Sequence, residues 1–315
     1  MDSDITKNIN RRQFLAHVGI GGVALPLGVV CSTASAGALR SPGSGESPAR
    51  TRVGPKAGLC TIAFQERPLF EVLELAARAG FDGVEPWGKA DHLPLSTPDS
   101  HVREVRARLD GLGLSCSHFG SYVRLGEERE ATLQETDMRR AIAIARLLGT
   151  SIVRIWAGAK NSEDLSAAEL DRIISDGKKF CALAEKEGVL LAMEMHGQTL
   201  TNRASAMIDL IRRVGSPSLK ANFQILNDTE DPYKRARSAG PYAVMVHAQN
   251  EGAPGDGQPL ICKGVVDFRK IWEILSGFGF KGYFEVEFVR GKTLEEKVEF
   301  LKQDCACLKA IGASQ

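Results

Sequence analysis

The fold is decided by a stretch that reads IVRIW (152–156), then AAELDRIISDGKKFCALAEKEG (167–188), then VLLAMEM (189–195). The two short apolar runs have the length and the β-branched content of buried strands. The longer segment between them repeats its apolar residues with helical spacing. Gly188 stands where that helix should end, a position that glycine fills well. Two strands joined by a helix run parallel, so this stretch predicts a strand–helix–strand unit.

The same alternation continues through the chain from Leu59 onward. Eight strands are predicted, over Leu59–Phe64, Gly83–Trp87, Leu114–Phe119, Ile152–Trp156, Val189–Met195, Leu219–Phe223, Tyr242–His247 and Tyr283–Phe288. Amphipathic segments of helical period lie between them. Eight such units predict an α/β fold, a single-domain (β/α)₈ TIM barrel over residues 58–315. An open doubly wound sheet is disfavoured, because no glycine-rich phosphate loop follows the first strand.

The composition is that of an ordinary globular protein and excludes some classes of partner. The 315 residues include 40 Lys and Arg against 39 Asp and Glu, a formal net charge of +1. This balance gives no reason to expect a nucleic acid or an anionic membrane as partner. Seven cysteines are too sparse for a disulfide scaffold. Cys305 and Cys307 are two residues apart on the last helix and so point away from each other, and we expect no required disulfide.

The N-terminal residues are predicted to lie outside the barrel. Residues 1–36 resemble a twin-arginine signal peptide, with Arg11-Arg12 before Phe14-Leu15 and a glycine-rich apolar run that ends in Ala34-Ser35-Ala36. Residues 37–57 are rich in Gly, Ser and Pro and predict a flexible linker. The resemblance implies a periplasmic or secreted protein with no integral membrane span in its mature chain. A lipoprotein anchor at Cys31 is the alternative.

Polar and aromatic side chains collect at the carboxyl ends of the predicted strands, where barrels of this kind place their active sites. They are Glu85, Trp87, His118, Arg154, Trp156, Glu194, His196, Gln224, His247, Glu285 and Glu287. Each alone could be a structural residue, and Glu85, Glu285 and Arg154 could pair with one another. Their convergence favours a site, because buried acidic groups are costly unless they are paired or bind a metal.

Four of these residues form a set of metal ligands. Glu194, Gln224, His247 and Glu287 would supply carboxylate, amide and imidazole groups from four successive strands. Oxygen and nitrogen ligands without thiolates suit Mn²⁺, Co²⁺, Zn²⁺ or Mg²⁺, so we predict a divalent metal ion as cofactor. Such an ion polarises a carbonyl or hydroxyl group while a neighbouring carboxylate moves the proton.

Five motifs carry a resemblance to a known family: GFDGVEPWG (80–88), VRIWAG (153–158), LLAMEMHGQTLTN (190–202), YAVMVHAQN (242–250) and GYFEVEF (282–288). In their order and spacing they resemble the xylose isomerase-like TIM barrel superfamily, and within it the sugar phosphate isomerase/epimerase family. The resemblance extends from Leu59 to the end of the chain.

The resemblance implies roles for particular residues. Glu194, His247 and Glu287 fall on the family's metal positions, and Glu194 and Glu287 are also the carboxylates that exchange the substrate proton. Residues that match the substrate pocket are Glu85, His118, Arg154 and His196, with Trp87 and Trp156 as surfaces for a sugar or as packing residues. Gln224 stands where the family has Asp, which lowers the negative charge of the site. Asn222, Asn227 or Asp228 could compensate.

The sequence therefore predicts an exported, metal-dependent isomerase or epimerase. It would abstract a proton next to a carbonyl of a non-phosphorylated carbohydrate, since phosphorylated sugars are cytoplasmic metabolites. A 3-keto-glycoside eliminase or hydratase with the same site and a non-catalytic carbohydrate-binding barrel stay open as alternatives. The endonuclease branch of the superfamily fits poorly, because it needs more histidines and a basic DNA-binding face. A homo-oligomer is compatible with the sequence.

Overall fold

The computed structural model describes residues 54–226, 230–252 and 258–312. Its strands are β1 (Lys56–Cys60), β2 (Gly83–Glu85), β3 (Ser115–Cys116), β4 (Phe119–Leu125), β5 (Ile152–Ala157), β6 (Leu190–Glu194), β7 (Leu219–Gln224), β8 (Ala243–Ala248) and β9 (Tyr283–Val286). Its α-helices are α1 (Leu69–Ala79), α2 (Asp99–Gly111), α3 (Ala131–Leu148), α4 (Ala167–Lys186), α5 (Ala204–Val214), α6 (Pro232–Ala239), α7 (Phe268–Gly277) and α8 (Leu294–Ala310). Within these residues, no helix has both the length and the apolar character needed to cross a membrane.

The strands form one parallel sheet in the order β3-β2-β1-β9-β8-β7-β6-β5-β4. Strand β1 pairs with both β2 and β9, so the first and last strands are neighbours. The short strands β3 and β4 share one position in the sheet and are separated by Ser117 and His118. A parallel bridge between Trp87 and Gly120 connects the end of β2 to β4. The sheet thus closes on itself, and the predicted (β/α)₈ barrel is confirmed.

The strand boundaries differ most from the prediction at the first and third strands. The third strand was expected to end at Phe119, but β4 continues to Leu125 with alternating buried and half-buried residues. The first strand begins at Lys56, two residues inside the predicted linker, and gives way after Cys60 to a 3₁₀ turn. The predicted signal peptide (1–36), with Cys31, and linker residues 37–53 lie outside the described residues.

Helix α4 shows how local sequence fixes one element against the barrel. Its N-terminus is a capping box, in which the Ser166 hydroxyl accepts a hydrogen bond from the Glu169 N–H and the Glu169 carboxylate returns to the Ser166 N–H. Gly188, just beyond the helix, has a φ of 64°, a conformation that glycine adopts without strain. The helix buries Ile173 and Phe180 toward the sheet. Each such side chain contributes about 1.5–3 kcal/mol.

A disulfide joins Cys262 to Cys307, with their Cα atoms 5.9 Å apart. Cys262 lies in a 3₁₀ turn in the connection after β8, and Cys307 lies in helix α8. The sequence did not predict this pair. The two cysteines are separated by 45 residues, and only the closed barrel brings them together. Cys305 is buried and does not form a disulfide, as the helical spacing predicts.

Candidate metal and proton-transfer site

The carboxyl ends of strands β6 to β9 bring the four predicted metal ligands to one region of the barrel. Glu194 is the last residue of β6, and it is in register with Asn222 on β7. Gln224, two residues further along β7, is in register with His247 on β8. Because side chains alternate along a strand, Asn222 and Gln224 lie on the same face of the sheet. Glu287 follows directly after β9.

Three of these side chains meet closely. His247 Nδ1 lies 3.6 Å from Glu194 Oε1 and 3.5 Å from Glu287 Oε1. One ligand atom from each of the three lies within 4.8 Å of the others, and all three residues are buried. This arrangement has the size of a site for one metal ion.

Several buried polar atoms in this group have no hydrogen-bond partner among the described residues. They are His247 Nδ1, Gln224 Oε1, Glu287 Oε2 and both amide atoms of Asn222. Leaving a buried polar atom unpaired costs roughly 1–3 kcal/mol. Several unpaired atoms in one place therefore indicate a site that binds an ion or a ligand. A divalent cation fits, because His247 Nδ1, Gln224 Oε1 and Glu287 Oε2 are nitrogen and oxygen atoms that can bind a metal ion. Asn227 and Asp228 lie outside the described residues.

The two carboxylates have opposite protonation preferences. Burial alone would raise the pKa of Glu194, but Arg154 and then His247 lower it to about 2. Arg154 Nη1 donates to Glu194, and Arg154 Nε donates to Glu85 at 3.0 Å. Glu287 lies 3.5 Å from His247 but accepts no hydrogen bond from an arginine among the described residues, and burial, the largest cause, raises its pKa to about 7. At neutral pH Glu194 is therefore held ionised, whereas Glu287 can take up and release a proton.

A second group of charged residues lies beneath the predicted ligands and supports them. His118 lies between two carboxylates, with Nε2 3.2 Å from Glu85 Oε1 and Nδ1 3.1 Å from Glu285 Oε2. Burial alone would lower the pKa of His118, but Glu285 and Glu85 raise it to about 9. Gly58 and Gly120 make room for this group, since a Cβ atom on either would overlap Glu285 or Glu85.

Three of the predicted substrate contacts, Glu85, His118 and Arg154, are buried in the structure. Glu85 and His118 have no exposed surface, and their polar groups contact one another and neighbouring charged residues. Arg154 is also buried, and its guanidinium forms ion pairs with Glu85 and Glu194. These three residues hold the ligands in place rather than line the open mouth.

Glu85 in particular orients His247. His247 Nε2 lies 2.9 Å from Glu85 Oε2, which assigns a proton to Nε2 and turns Nδ1 toward Glu194 and Glu287. A carboxylate that fixes the outer nitrogen of a metal-binding imidazole is a common support for such ligands. Burial alone would lower the pKa of His247, but Glu287 and Glu85 raise it well above its usual value. A cation that binds Nδ1 must therefore displace a proton.

An aromatic wall leads outward from the Arg154–Glu194 pair. Tyr122 stacks on Trp156, with ring centroids 5.8 Å apart and planes inclined by 24°. Trp87 Nε1 donates to the Tyr122 hydroxyl at 2.7 Å, and the His196 ring lies 5.2 Å from Trp156. All four rings are half-buried. Trp87, Trp156 and His196 thus form one half-buried cluster with Tyr122, and their contact with substrate stays a prediction.

Sequence reasoning missed Tyr122 and Arg124, because it ended the third strand at Phe119. The signal was present, since the run Ser121–Leu125 alternates polar or aromatic residues with apolar ones. His92, by contrast, is a structural residue: it is buried, with Nδ1 2.8 Å from the Thr61 hydroxyl and Nε2 3.0 Å from the Arg67 carbonyl.

A closed parallel barrel with buried carboxylates and imidazoles at the carboxyl ends of its strands defines a class of enzymes that work on small polar molecules at that mouth. Residues 73–305 match the sequence profile of the xylose isomerase-like TIM barrel family, and the chain belongs to that family.

Its relatives include several kinds of enzyme. The chain is 26% identical over 203 residues to a 3-dehydroshikimate dehydratase of Bacillus anthracis, covering 62% of this chain and 71% of that protein. It is 26% identical over 265 residues to an L-ribulose-5-phosphate 3-epimerase of Shigella flexneri, covering 76% of this chain and 88% of that protein. The fold is similar to that of a xylose isomerase-like TIM barrel protein from Mycobacterium smegmatis in complex with magnesium, with a TM-score of 0.66, 19% identity and coverage of 82% and 98%. These relatives fit a sugar isomerase/epimerase-like enzyme.

Proposed function

We propose that the protein is a metal-dependent enzyme that removes a proton next to a carbonyl group of a non-phosphorylated carbohydrate, as an isomerase or epimerase does. The observation that carries this proposal is the pair of buried carboxylates with opposite protonation preferences, Glu194 and Glu287, which face the same nitrogen of His247. Enzymes that move protons at neutral pH commonly separate the pKa values of two acidic groups in this way.

Glu287 is the base in this proposal. Its Oε1 faces His247, whereas its Oε2 has no partner among the described residues and is the oxygen available to a substrate proton. A base whose pKa is near the working pH transfers protons most effectively, and in the metal-free chain burial raises the pKa of Glu287 to about 7.

Glu194 has a different task. Its pairing with Arg154 stabilises the carboxylate form and makes it a poor proton donor. Isomerisation, in which Glu287 alone moves the proton between neighbouring carbons, therefore suits these residues better than an epimerisation that needs a second donor on the opposite face of the substrate.

Glu194, Gln224, His247 and Glu287 would hold the divalent ion, which when bound supplies a Lewis acid for the substrate oxygen. Gln224 contributes a neutral oxygen where an acidic ligand would add a charge. Glu85, through His247, and Arg154, through Glu194, fix the positions of two of these ligands.

The test is hydrogen exchange with solvent. Protein reconstituted with Mn²⁺, Co²⁺, Zn²⁺ or Mg²⁺ is incubated in D₂O with a panel of free and oxidised sugars, and deuterium next to the carbonyl is measured by NMR. Glu287→Gln should slow the exchange by about 10²–10⁴-fold, the usual contribution of a positioned base. Glu251→Gln, an exposed carboxylate after strand β8, is the matched control and should have no effect. Exchange that survives in Glu287→Gln would refute this assignment.

Elimination is a second candidate, favoured by the similarity to a dehydratase. A 3-keto-glycoside eliminase or a hydratase would begin with the same proton removal by Glu287. The product separates the two, because elimination changes the mass of the carbohydrate and isomerisation does not. A non-catalytic carbohydrate-binding barrel would instead bind sugars without any exchange.

We also propose that the protein is exported by the twin-arginine route. The disulfide between Cys262 and Cys307 supports this address, because disulfides persist in oxidising compartments. Replacing Arg11 and Arg12 by Lys should retain the protein in the cytoplasm, as cell fractionation would show. An unchanged distribution would contradict the proposal.

A further inference from the structure

We infer that the substrate carries a carboxylate group and that Arg124 and Lys89, at the mouth of the barrel, bind it. The inference rests on the proposed function, since it names the substrate class of the same site.

Both cations lie against the aromatic wall. Arg124 is in register with Trp156 on the neighbouring strand, and its guanidinium carbon lies 5.2 Å from the centroid of the Trp156 ring. Lys89 follows strand β2, and its Nζ lies 4.3 Å from the centroid of the Tyr122 ring. Tyr122 stacks on Trp156, so each cation contacts one ring of the same stacked pair.

Neither cation has an acidic partner in the described part of the chain, where no carboxylate oxygen approaches either one within 4.0 Å. Arg154, by comparison, forms ion pairs with both Glu85 and Glu194. Arg124 is half-buried, and among the described residues its side-chain hydrogen bond goes to the carbonyl of Gly158. Glu127 and Glu194 attract the guanidinium from beyond 4.0 Å, but burial still lowers the pKa of Arg124, so an anion that arrives with the substrate would stabilise this position.

A third donor at this place also lacks a partner. The indole N–H of Trp156 is buried and has no acceptor among the described residues. An oxyanion bound against Trp156 would provide an acceptor near Arg124 and this N–H together. A neutral sugar would satisfy hydrogen bonds here but would leave the two positive charges uncompensated.

The donors favour a carboxylate over a phosphate. A guanidinium presents two parallel N–H groups that match the two oxygens of a planar carboxylate. Phosphate sites typically add backbone N–H groups at a helix N-terminus or a glycine-rich loop, and this wall offers side chains. The substrate class is therefore a polyhydroxylated carbonyl compound that bears a carboxylate, such as a sugar acid or a cyclic polyol acid.

Binding to the metal-reconstituted full chain tests the inference without requiring turnover. The probes for calorimetry are D-glucuronate against D-glucose, quinate against myo-inositol, and D-glucose 6-phosphate. Each acid should bind about tenfold more tightly than its neutral counterpart, as expected for hydrogen bonds to a charged group. Arg124→Gln and Lys89→Gln should each remove most of that preference, and Arg124→Lys should retain part of it. The neutral probes should bind as before.

Arg103→Gln, an exposed arginine on helix α2, is the matched control and should change nothing. Lys89 is exposed, so its variant reports on binding even if Arg124→Gln weakens the fold. Equal affinity for acid and neutral probes, no measurable binding of either acid, an unchanged preference in both glutamine variants, or tighter binding of the phosphate would each overturn the inference. If the metal-reconstituted wild-type protein catalysed no deuterium exchange, the proposed function would be refuted, whereas the measured preference for acidic probes would still stand.

Discussion

The support that Glu85 gives to His247 leads to a quantitative prediction for the Glu85→Gln variant. Glutamine has nearly the same shape, but it removes the charge that accepts from His247 Nε2 at 2.9 Å and from Arg154 Nε at 3.0 Å. Loss of a group that orients a metal-binding histidine typically weakens metal affinity about 10–100-fold, which corresponds to about 1.4–2.8 kcal/mol. We expect a loss in this range for Glu85→Gln.

The control is Glu285→Gln, which removes an equally buried carboxylate from the same group. Glu285 accepts a hydrogen bond from Ser117 and lies 3.1 Å from His118 Nδ1. It is in register with His247 on the neighbouring strand, but among the described residues it forms no hydrogen bond with the His247 ring. Both variants leave a buried cation less compensated and should lower the melting temperature. Only Glu85→Gln should also weaken the metal site.

Calorimetric titration of the metal-free proteins with Mn²⁺ measures the difference directly, and melting curves recorded alongside report on folding. Glu285→Gln should bind Mn²⁺ within about threefold of the wild type, since it leaves the His247 support intact. Equal losses of affinity in the two variants would show that the effect comes from the buried charge in general. An unchanged affinity in Glu85→Gln would show that His247 needs no such support.

Three further predictions follow from the charges and the disulfide. Metal affinity should rise with pH and fall by more than tenfold for each pH unit below 7, because the cation needs Glu287 ionised, with a pKa of about 7 in the metal-free chain, and must also displace the proton of His247, whose pKa is raised. Calorimetry in buffers of different ionisation enthalpy should detect the released protons, and a pH-independent affinity would contradict this. Arg154→Gln should raise the pKa of Glu194, because the guanidinium that lowers it is lost, and the carboxyl ¹³C shift followed by NMR during a pH titration would show it; an unmoved titration would place the cause elsewhere. Cys262→Ser should destabilise the chain by about 4 kcal/mol, because the bridge closes a segment of 45 residues. Cys305→Ala should also lower the melting temperature, but reductant should lower it further, as in the wild type. A wild-type melting temperature that reductant does not change would refute the structural role of the bridge.

The convergence of the predicted ligands could be expected from the sequence, because parallel strands in a barrel all end at the same mouth, and their metal-binding role stays a prediction. Glu194, His247 and Glu287 each end or follow an apolar run, and the structure brings them within contact distance. Gln224 was expected beside them, and it lies in register with His247. For these residues, a position at the end of a strand was enough to predict that they lie close together.

Depth along the barrel axis could not be read in the same way. Strands in a barrel are staggered, so two residues that both end a strand can lie in different layers. Glu85 and His118 were therefore expected at the open mouth, whereas both are fully buried. After the break at Ser117 and His118, the alternating residues indicate a strand that continues to Leu125, but the prediction ended the third strand at Phe119.

The disulfide illustrates the limit set by long-range contacts. Cys262 lies in an irregular connection and Cys307 in the last helix, and neither local pattern refers to the other. Only the closure of the barrel places the connection after β8 beside α8.

The most direct test of the central claim is the metal content of the purified protein after reconstitution. We expect one tightly bound divalent ion per chain, drawn from Mn²⁺, Co²⁺, Zn²⁺ or Mg²⁺. The ion should be lost in His247→Ala, while circular dichroism shows that the barrel is still folded. A wild-type chain that retains no stoichiometric ion, or a His247→Ala chain that binds the ion as well as the wild type does, would contradict it.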